Sequence, residues 1–222
     1  VQESDFTFIS KVPYEPAEQA KVKYLAYRTL EEFVAERYHT DERFLAKINP
    51  DLDWSSAKAG AVIKVPNVTP FKIEDIKKNQ SFGEDEQLSK RMAIVDTSQK
   101  LVAIWEGEKI VATFPVTPGR ERFIHRGSWT MRNMITTPEF RWDKSMLETG
   151  ERGKEFYQLP PGPNSPVGIF WAGLSKAGIG LHGTALPHTI GRSRSAGCVR
   201  LANWDAVRLA ALIRPGAKVE MR

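Results

Sequence analysis

The chain contains one cysteine, Cys198, among its 222 residues. A single cysteine excludes an internal disulfide and any zinc site built from several thiolates, so neither can stabilise the fold. An apolar core must do so, and 222 residues are enough for one or two domains with a sizeable core. A lone thiol is either a buried, inert hydrophobic group or a reactive one, and its neighbours decide between the two.

Composition and charge limit the classes of partner. Hydrophobic residues make up 41% of the chain and charged residues 27%, as in ordinary soluble proteins, and no apolar run is long enough to span a membrane. The net charge of +5 favours an anionic partner such as a cell-wall polymer, although a basic, merely soluble surface has the same composition. We expect no nucleic-acid partner, because the sequence has no long Lys/Arg block and no nucleic-acid motif.

The sequence divides into an N-terminal extension, a small α+β unit, a polar linker or ordered strap, and a main domain. The predicted ranges are, in that order, residues 1–21, 22–66, 67–90 and 91–222. In the small unit, short strands are predicted at 22–24 and 61–66. Between them, Thr29 begins a capping box before one helix, and a second helix is predicted to end at Asn49.

The small unit resembles a LysM module, a βααβ fold that binds N-acetylglucosamine-containing glycans. The resemblance rests on Asn49-Pro50 and on the closing run Gly-Ala-Val-Ile-Lys-Val-Pro at residues 60–66. The family usually has Gly-Asp where this chain has Tyr27-Arg28. The resemblance implies the βααβ fold and, through it, contact with the glycan of peptidoglycan.

The main domain is predicted to be mainly β, with long functional loops. Its predicted strands lie at residues 93–95, 101–105, 110–114 and 218–221, and the first three are separated by hairpin signals. A Gly- and Pro-rich middle follows the third strand. One helix is predicted over residues 204–213, with Asn203 as its N-cap.

Two stretches of the main domain, Gly-Ile-Gly-Leu-His-Gly-Thr and Ser-Ala-Gly-Cys-Val-Arg-Leu, carry residues suited to nucleophilic chemistry. A thiol attacks a carbonyl well only as its thiolate, so Cys198 needs a base, and His182 can be that base. The carbonyl of Gly183 can accept from the second ring nitrogen of the histidine and orient it. The amides of Gly197 and Cys198 are candidates for an oxyanion site.

Three further residues near the thiol are candidates for contact with substrate. Ser195 belongs to the stretch that holds the oxyanion site, and Arg200 and Arg192 offer positive charge to a carboxylate. Each candidate has a structural alternative, because a cysteine between small residues can be simply buried and an arginine can be an ion-pair partner. No metal site is predicted, since the histidines and the cysteine lack the spacing of zinc ligands.

Residues 91–222 are similar to the L,D-transpeptidase (YkuD-type) family. Its signature is a His-Gly followed by [Ser/Thr]-His-Gly-Cys and then Arg or Asn, and here Cys198 lies sixteen residues after His182, an interval that fits the signature. The resemblance implies a β-sandwich catalytic domain with Cys198 as nucleophile, His182 as base, the Gly183 carbonyl as orienter and Arg200 near the substrate. One departure is Ala196, where the family usually has a histidine.

The resemblance also implies a reaction on peptidoglycan. The cysteine would attack the carbonyl of the L-centre of meso-diaminopimelate in a stem tetrapeptide, release D-Ala and pass the acyl group to an amine, with no cofactor. Three alternatives stay open. They are an L,D-carboxypeptidase with water as acceptor, a catalytically decayed peptidoglycan-binding protein with Ala196 as the symptom, and a general cysteine amidase that acts on unrelated substrates. The resemblance implies a location in the periplasm or cell wall, and we expect a monomer. The opening VQESDFTFIS has neither signal peptide nor initiator Met, which fits a trimmed chain as well as a mature exported form.

Overall fold

The structure, a computed structural model, describes residues 1–193 and 197–222. In that part of the chain the α-helices are α1 Pro16–Gln19, α2 Leu30–Arg37, α3 Glu42–Ile48, α4 Lys144–Thr149 and α5 Asn203–Ala206. The strands are β1 Ser81–Phe82, β2 Met92–Asp96, β3 Leu101–Glu106, β4 Lys109–Pro115, β5 Gly127–Thr136, β6 Phe140–Trp142, β7 Tyr157–Leu159, β8 Phe170–Leu174, β9 Gly180–His182, β10 Val199–Arg200 and β11 Lys218–Met221. None of the described helices has the length and apolar composition needed to cross a bilayer.

One curled sheet contains most of these strands, in the order β10-β9-β8-β5-β11-β2-β3-β4, with β1 added to β5. The long strand β5 pairs first with β11 and then with β8, and its register shifts between Met131 and Asn133. Such a bulge bends a strand and increases its twist. Thr117, beyond β4, exchanges backbone hydrogen bonds of 2.9 and 3.0 Å with Arg200 of β10, so the two ends of the strand order meet. The prediction of a mainly β domain is confirmed. Its strands form one sheet that curls around the core.

The core of the sheet follows from the alternation of apolar residues along its strands. The inward residues of the two strands that begin the domain are completely buried: Ala93, Val95, Val102 and Ile104. These strands and β4 form antiparallel hairpins at the predicted turns. The last predicted strand is also confirmed, as β11, which pairs with β2 in parallel and with β5 in antiparallel orientation.

The two helices predicted in the N-terminal unit are confirmed as α2 and α3. The Thr29 hydroxyl accepts a 3.0 Å hydrogen bond from the Glu32 N–H, as the predicted capping box requires. The second hydrogen bond of the capping box differs from the prediction. The Glu32 carboxylate accepts from the N–H of Arg28, 2.6 Å away, and not from the N–H of Thr29. The helix α3 ends at Ile48, with Asn49 as its C-cap.

The two strands predicted on either side of these helices are wrong: residues 22–24 form a bend that leads into extended chain, and residues 61–66 pair with no strand in the described part of the chain. The physical reason in the second segment is a side chain. Asn49 accepts from the Lys64 N–H at 2.7 Å and donates to the Lys64 carbonyl at 2.9 Å. These backbone groups are therefore unavailable to a neighbouring strand, and Pro66 has no N–H to offer. The βααβ arrangement of a LysM module is accordingly absent from the described residues.

The N-terminal helices pack directly on the curled sheet's domain. Buried residues of α2, including Phe33, share one apolar cluster with Ile169 and with the partly buried Trp204. Phe71 and Ile73, from the segment predicted as linker or strap, belong to the same cluster. Because that segment also adds β1 to the sheet, it is a packed strap and not a loose connection.

The helix predicted over residues 204–213 is shorter and begins earlier. The α-helix spans Asn203–Ala206, and a 3₁₀ helix at Val207–Ala211 continues it. The N-cap is Ala202 and not Asn203. The Asn203 side chain is fully buried and accepts backbone hydrogen bonds from Ile169 and Thr184, so it cannot also cap its own helix.

Candidate active site

Two neighbouring parallel strands bring Cys198 and His182 to one cavity. Strand β9 ends at His182, and β10 begins directly after Cys198, with Arg200 in register opposite His182. The thiol therefore lies at the start of one strand and the imidazole at the end of its neighbour. Both residues line a cavity of about 630 Å³.

The cavity has apolar walls and charged residues within them. Its apolar lining includes Ile135 of β5, Trp171 of β8 and two residues of α4, Met146 and Leu147. Its lining also includes acidic and basic residues, namely Glu139, Arg141, Asp143, Arg152 and Arg200. A largely apolar cleft with a few charged groups is the usual form of a site for a small organic ligand or a short peptide.

His182 is buried and held on two sides. Its Nδ1 lies 2.6 Å from the carbonyl oxygen of Gly183. Because a carbonyl can only accept, this contact selects the tautomer with hydrogen on Nδ1 and leaves Nε2 as a base. Trp171 stacks on the imidazole with ring centroids 5.7 Å apart. Burial, helped by the nearby Arg200 guanidinium and opposed by the hydrogen bond to Gly183, lowers the pKa of His182 to about 4. The imidazole is therefore neutral and able to take a proton at pH 7.

Cys198 is partly buried, and its thiol donates to the carbonyl of Gly178 over 3.3 Å. Burial raises the pKa of this thiol to about 11, against the opposing effect of a backbone hydrogen bond from Gly180. The resting pair at neutral pH is therefore a protonated thiol and a neutral imidazole. Attack by sulfur then requires transfer of the thiol proton to the imidazole as the carbonyl approaches.

We predict that the pH dependence of alkylation reports this raised thiol pKa. Because small alkylating reagents react with thiolate, the rate constant for Cys198 and iodoacetamide should rise about tenfold per pH unit from pH 7 to pH 10. The same thiol in the urea-unfolded chain should level off near pH 9, above the ordinary cysteine pKa of about 8.5. The measurement is the loss of free thiol followed by intact mass. A pH-independent rate between pH 6 and 8 in the folded protein would show a preformed thiolate–imidazolium pair and contradict this account.

The glycines beside the two reacting residues allow close backbone packing. Gly197, immediately before the nucleophile candidate, has φ +124°, a conformation that side chains disfavour. A Cβ on Gly119 would lie 2.6 Å from the Cα of Gly197, so the two backbones are in contact there. The Gly197 amide lies directly before Cys198, where a donor to an oxyanion would be needed. Its role in an oxyanion site stays a prediction.

The other predicted site residues have different locations. Arg200 lines the cavity, and its Nη2 donates to the Ser193 hydroxyl over 2.5 Å. Arg192 has an exposed side chain in the preceding loop and is not among the residues that line the cavity, so the geometry gives no support to its predicted contact with substrate. Ser195, like Ala196, lies outside the described residues.

Sequence reasoning missed several residues that shape the site. Trp171 is the ring that covers the catalytic imidazole candidate. Asn203, interpreted as a helix cap, contacts the backbone next to Gly183. Met146 and Leu147 of α4 form one cavity wall, and no motif marks that short helix as part of a site.

Comparison with known proteins gives four findings. The family model described as the YkuD L,D-transpeptidase catalytic domain matches residues 90–221. The YkuD protein of Bacillus licheniformis, assigned by name as an L,D-transpeptidase, is 25% identical over 193 residues, covering 87% of this chain and 93% of that protein. Its namesake in Bacillus subtilis is 38% identical over 77 residues, covering 30% of this chain and 47% of that protein. A solved L,D-transpeptidase from Mycobacterium smegmatis is 14% identical with a TM-score of 0.48, covering 60% of this chain and 58% of that one.

Proposed function

The chain belongs to the YkuD family of L,D-transpeptidases, and from that premise we propose that it cross-links peptidoglycan stem peptides through a thioester on Cys198. The donor is a tetrapeptide stem, cleaved after meso-diaminopimelate with release of D-Ala. The acceptor is the side-chain amine of a second stem. The enzyme class itself agrees with the relatives assigned as L,D-transpeptidases.

The observation that carries the proposal is the placement of Cys198 and His182 at one cavity, with the Gly183 carbonyl against the imidazole. The thiol and the imidazole come from adjacent parallel strands, and the Gly183 carbonyl fixes the imidazole tautomer at 2.6 Å. A nucleophile, a base and an acceptor that orients the base are the parts that acyl transfer by a thiol requires. The cavity, at about 630 Å³, is large enough for several residues of a peptide.

In the first half-reaction, sulfur attacks the carbonyl carbon of the L-centre of meso-diaminopimelate, and the thiol proton moves to Nε2 of His182. The carbonyl oxygen becomes an oxyanion, for which the Gly197 and Cys198 amides are the donors we propose. Collapse of this intermediate breaks the C–N bond to D-Ala. The proton on His182 passes to the departing amine, so free D-Ala leaves and a thioester remains on Cys198.

In the second half-reaction, the acceptor amine attacks the thioester and gives its proton to His182. The C–S bond breaks, the new amide forms, and the proton returns to sulfur. Water in place of the amine gives hydrolysis, the L,D-carboxypeptidase alternative, and a protein lysine gives attachment to a protein. The Arg200 guanidinium, which lines the cavity, is the charge we propose for a substrate carboxylate.

Purified disaccharide-tetrapeptides incubated with the protein test the proposal. We expect D-Ala release and a cross-linked dimer joined between two diaminopimelate residues, both detected by mass spectrometry. The matched control is Cys198→Ala on the same substrate. Accumulation of tripeptide without dimer would replace transfer with the carboxypeptidase alternative. An unchanged tetrapeptide pool, with no adduct on the protein, would contradict the proposal and favour the decayed binding protein.

Several finer features belong to the same proposal and rest on the family resemblance or on composition. They are an exported location in the periplasm or cell wall, a monomeric state, no nucleic-acid partner and no cofactor. Glycan binding by residues 22–66 also stays a prediction. The helices α2 and α3 support it, whereas the missing flanking strands do not.

A further inference from the structure

The peptide unit between Gly183 and Thr184 is held at both ends. Its carbonyl oxygen accepts from Nδ1 of His182 at 2.6 Å. Its N–H donates to Oδ1 of Asn203 at 3.2 Å. Because the C=O and N–H of a trans peptide point in opposite directions, the contact with Asn203 fixes the direction in which the carbonyl faces the imidazole. Donation by the N–H also polarises the carbonyl and strengthens its acceptance from the histidine.

The backbone around Asn203 is built to admit its side chain. The same Oδ1 accepts a second hydrogen bond, from the N–H of Ile169 at 3.2 Å. A Cβ added to Gly168 or to Gly183 would collide with this oxygen. The Asn203 amide therefore occupies a slot that two glycines leave open beside the histidine, where it joins two chain segments.

The other end of the Asn203 amide is held by a residue of the N-terminal region. Its Nδ2 donates to the carboxyl group of Glu36, at 3.0 Å to Oε2 and 3.2 Å to Oε1. Glu36 lies on α2, outside the matched catalytic domain, 167 positions before Asn203, and is only 4% exposed. The Tyr27 hydroxyl contacts the same carboxyl group at 2.7 Å.

The carboxyl group decides which way the Asn203 amide points. An asparagine amide has an acceptor end and a donor end of nearly equal size, and two backbone N–H groups need the acceptor end. If nothing on the opposite side required the NH₂ group, the amide could turn and oppose these donors with its own. We propose that Glu36 is a positioning residue for the catalytic histidine, acting through Asn203 on the Gly183–Thr184 peptide. The proposal rests on the function proposed above, since it assigns His182 as the base.

The protonation state of Glu36 leaves this arrangement intact. Burial, with a smaller contribution from the charge of Glu32, raises the pKa of the Glu36 carboxyl to about 8. The groups that face the carboxyl are Tyr27 and Asn203, whose hydrogen bonds oppose the shift. A protonated carboxyl keeps one oxygen to accept from Asn203 and can donate its proton to the Tyr27 hydroxyl. Glutamine reproduces that pattern, with its carbonyl facing Asn203 and its NH₂ facing Tyr27.

Glu36→Leu and Glu36→Gln therefore test the proposal as a pair. We expect Glu36→Leu to lower the first-order rate of Cys198 acylation by roughly tenfold or more, with the half-saturating substrate concentration changed less than about twofold. We expect Glu36→Gln to keep the rate at pH 7. In ¹⁵N NMR spectra of the substrate-free protein, His182 should lose its Nδ1–H tautomer in the leucine variant and keep it in the glutamine variant.

Glu32→Leu is the matched control, because Glu32 lies one turn earlier on α2 and its carboxylate contacts Asn164 and Arg28 and not Asn203. This control should keep both the rate and the tautomer. The NMR signal needs no substrate, so it tests the positioning even if no acylation is found with muropeptides. A folded Glu36→Leu variant with the wild-type tautomer and thiol reactivity would overturn the proposal. If that variant does not fold, Asn203→Ala should show the same loss of tautomer, and its retention would overturn the proposal equally.

Discussion

Replacing Cys198 with alanine is expected to lower the formation of cross-linked dimer by at least about 10⁴-fold, because no other group at the cavity can form the thioester. The chain has no second cysteine. The measurement is D-Ala release from tetrapeptide together with dimer yield, normalised to folded protein. The thiol packs against the main apolar core but is only partly buried, so the variant should unfold within a few degrees of wild type.

Cys198→Ser separates the nucleophile from the shape of the site. Serine keeps a small side chain with a donor that can reach the Gly178 carbonyl, but its hydroxyl is a far weaker nucleophile than a thiol assisted by a neutral imidazole. We expect it to be as inactive as alanine within about tenfold. Dimer formation by either variant at a rate within tenfold of wild type would show that the acyl group is carried elsewhere.

His182→Gln is expected to lower the acylation rate at pH 7 by about 10³- to 10⁴-fold. The reason is the pair of opposed pKa shifts: the thiol, with its pKa raised to about 11, stays protonated at pH 7 and depends on a base. In wild type the imidazole, with its pKa lowered to about 4, is available as that base at every pH above about 4 and is lost below it. Without it, thiolate forms only by direct ionisation, so the variant's rate should rise about tenfold per pH unit up to pH 10.

The matched control for this prediction is His188→Gln. His188 lies in the short 3₁₀ helix Pro187–Thr189, between β9 and β10. It lines a different cavity from the one that Cys198 lines. Its replacement should leave both the rate and the pH profile within about twofold of wild type. A His182→Gln variant with the wild-type pH profile would show that another group takes the thiol proton.

The parts of the fold and site that sequence alone predicted are those set by local patterns. Alternation of apolar residues placed β2, β3, β4 and β11, and Thr29 marked the start of α2 through its cap. The interval between His182 and Cys198 fits the family signature, and that resemblance predicted that the two residues share a site. The structure places them at neighbouring parallel strands.

The parts that sequence did not predict depend on contacts between distant segments. The run at 61–66 has strand composition, but Asn49 occupies the Lys64 backbone groups that pairing would need. Asparagine is a residue type that often caps helices. Here the Asn203 side chain points inward, because two backbone N–H groups bind its Oδ1 and Glu36 binds its Nδ2. No spacing rule relates α2 to the loop after β9, so the contribution of the N-terminal helix to the site had no sequence signal.

The most direct test of the central claim is the mass of the protein during turnover of a disaccharide-tetrapeptide whose diaminopimelate side-chain amine is acetylated, so that the substrate offers no acceptor amine. We expect a transient adduct equal to the substrate minus D-Ala, located on Cys198 by peptide mapping and removed by hydroxylamine, as a thioester is. The adduct should be absent from Cys198→Ala and should form far more slowly in His182→Gln. An adduct on any other residue, or dimer formed by the wild-type protein without an adduct on Cys198, would contradict the account.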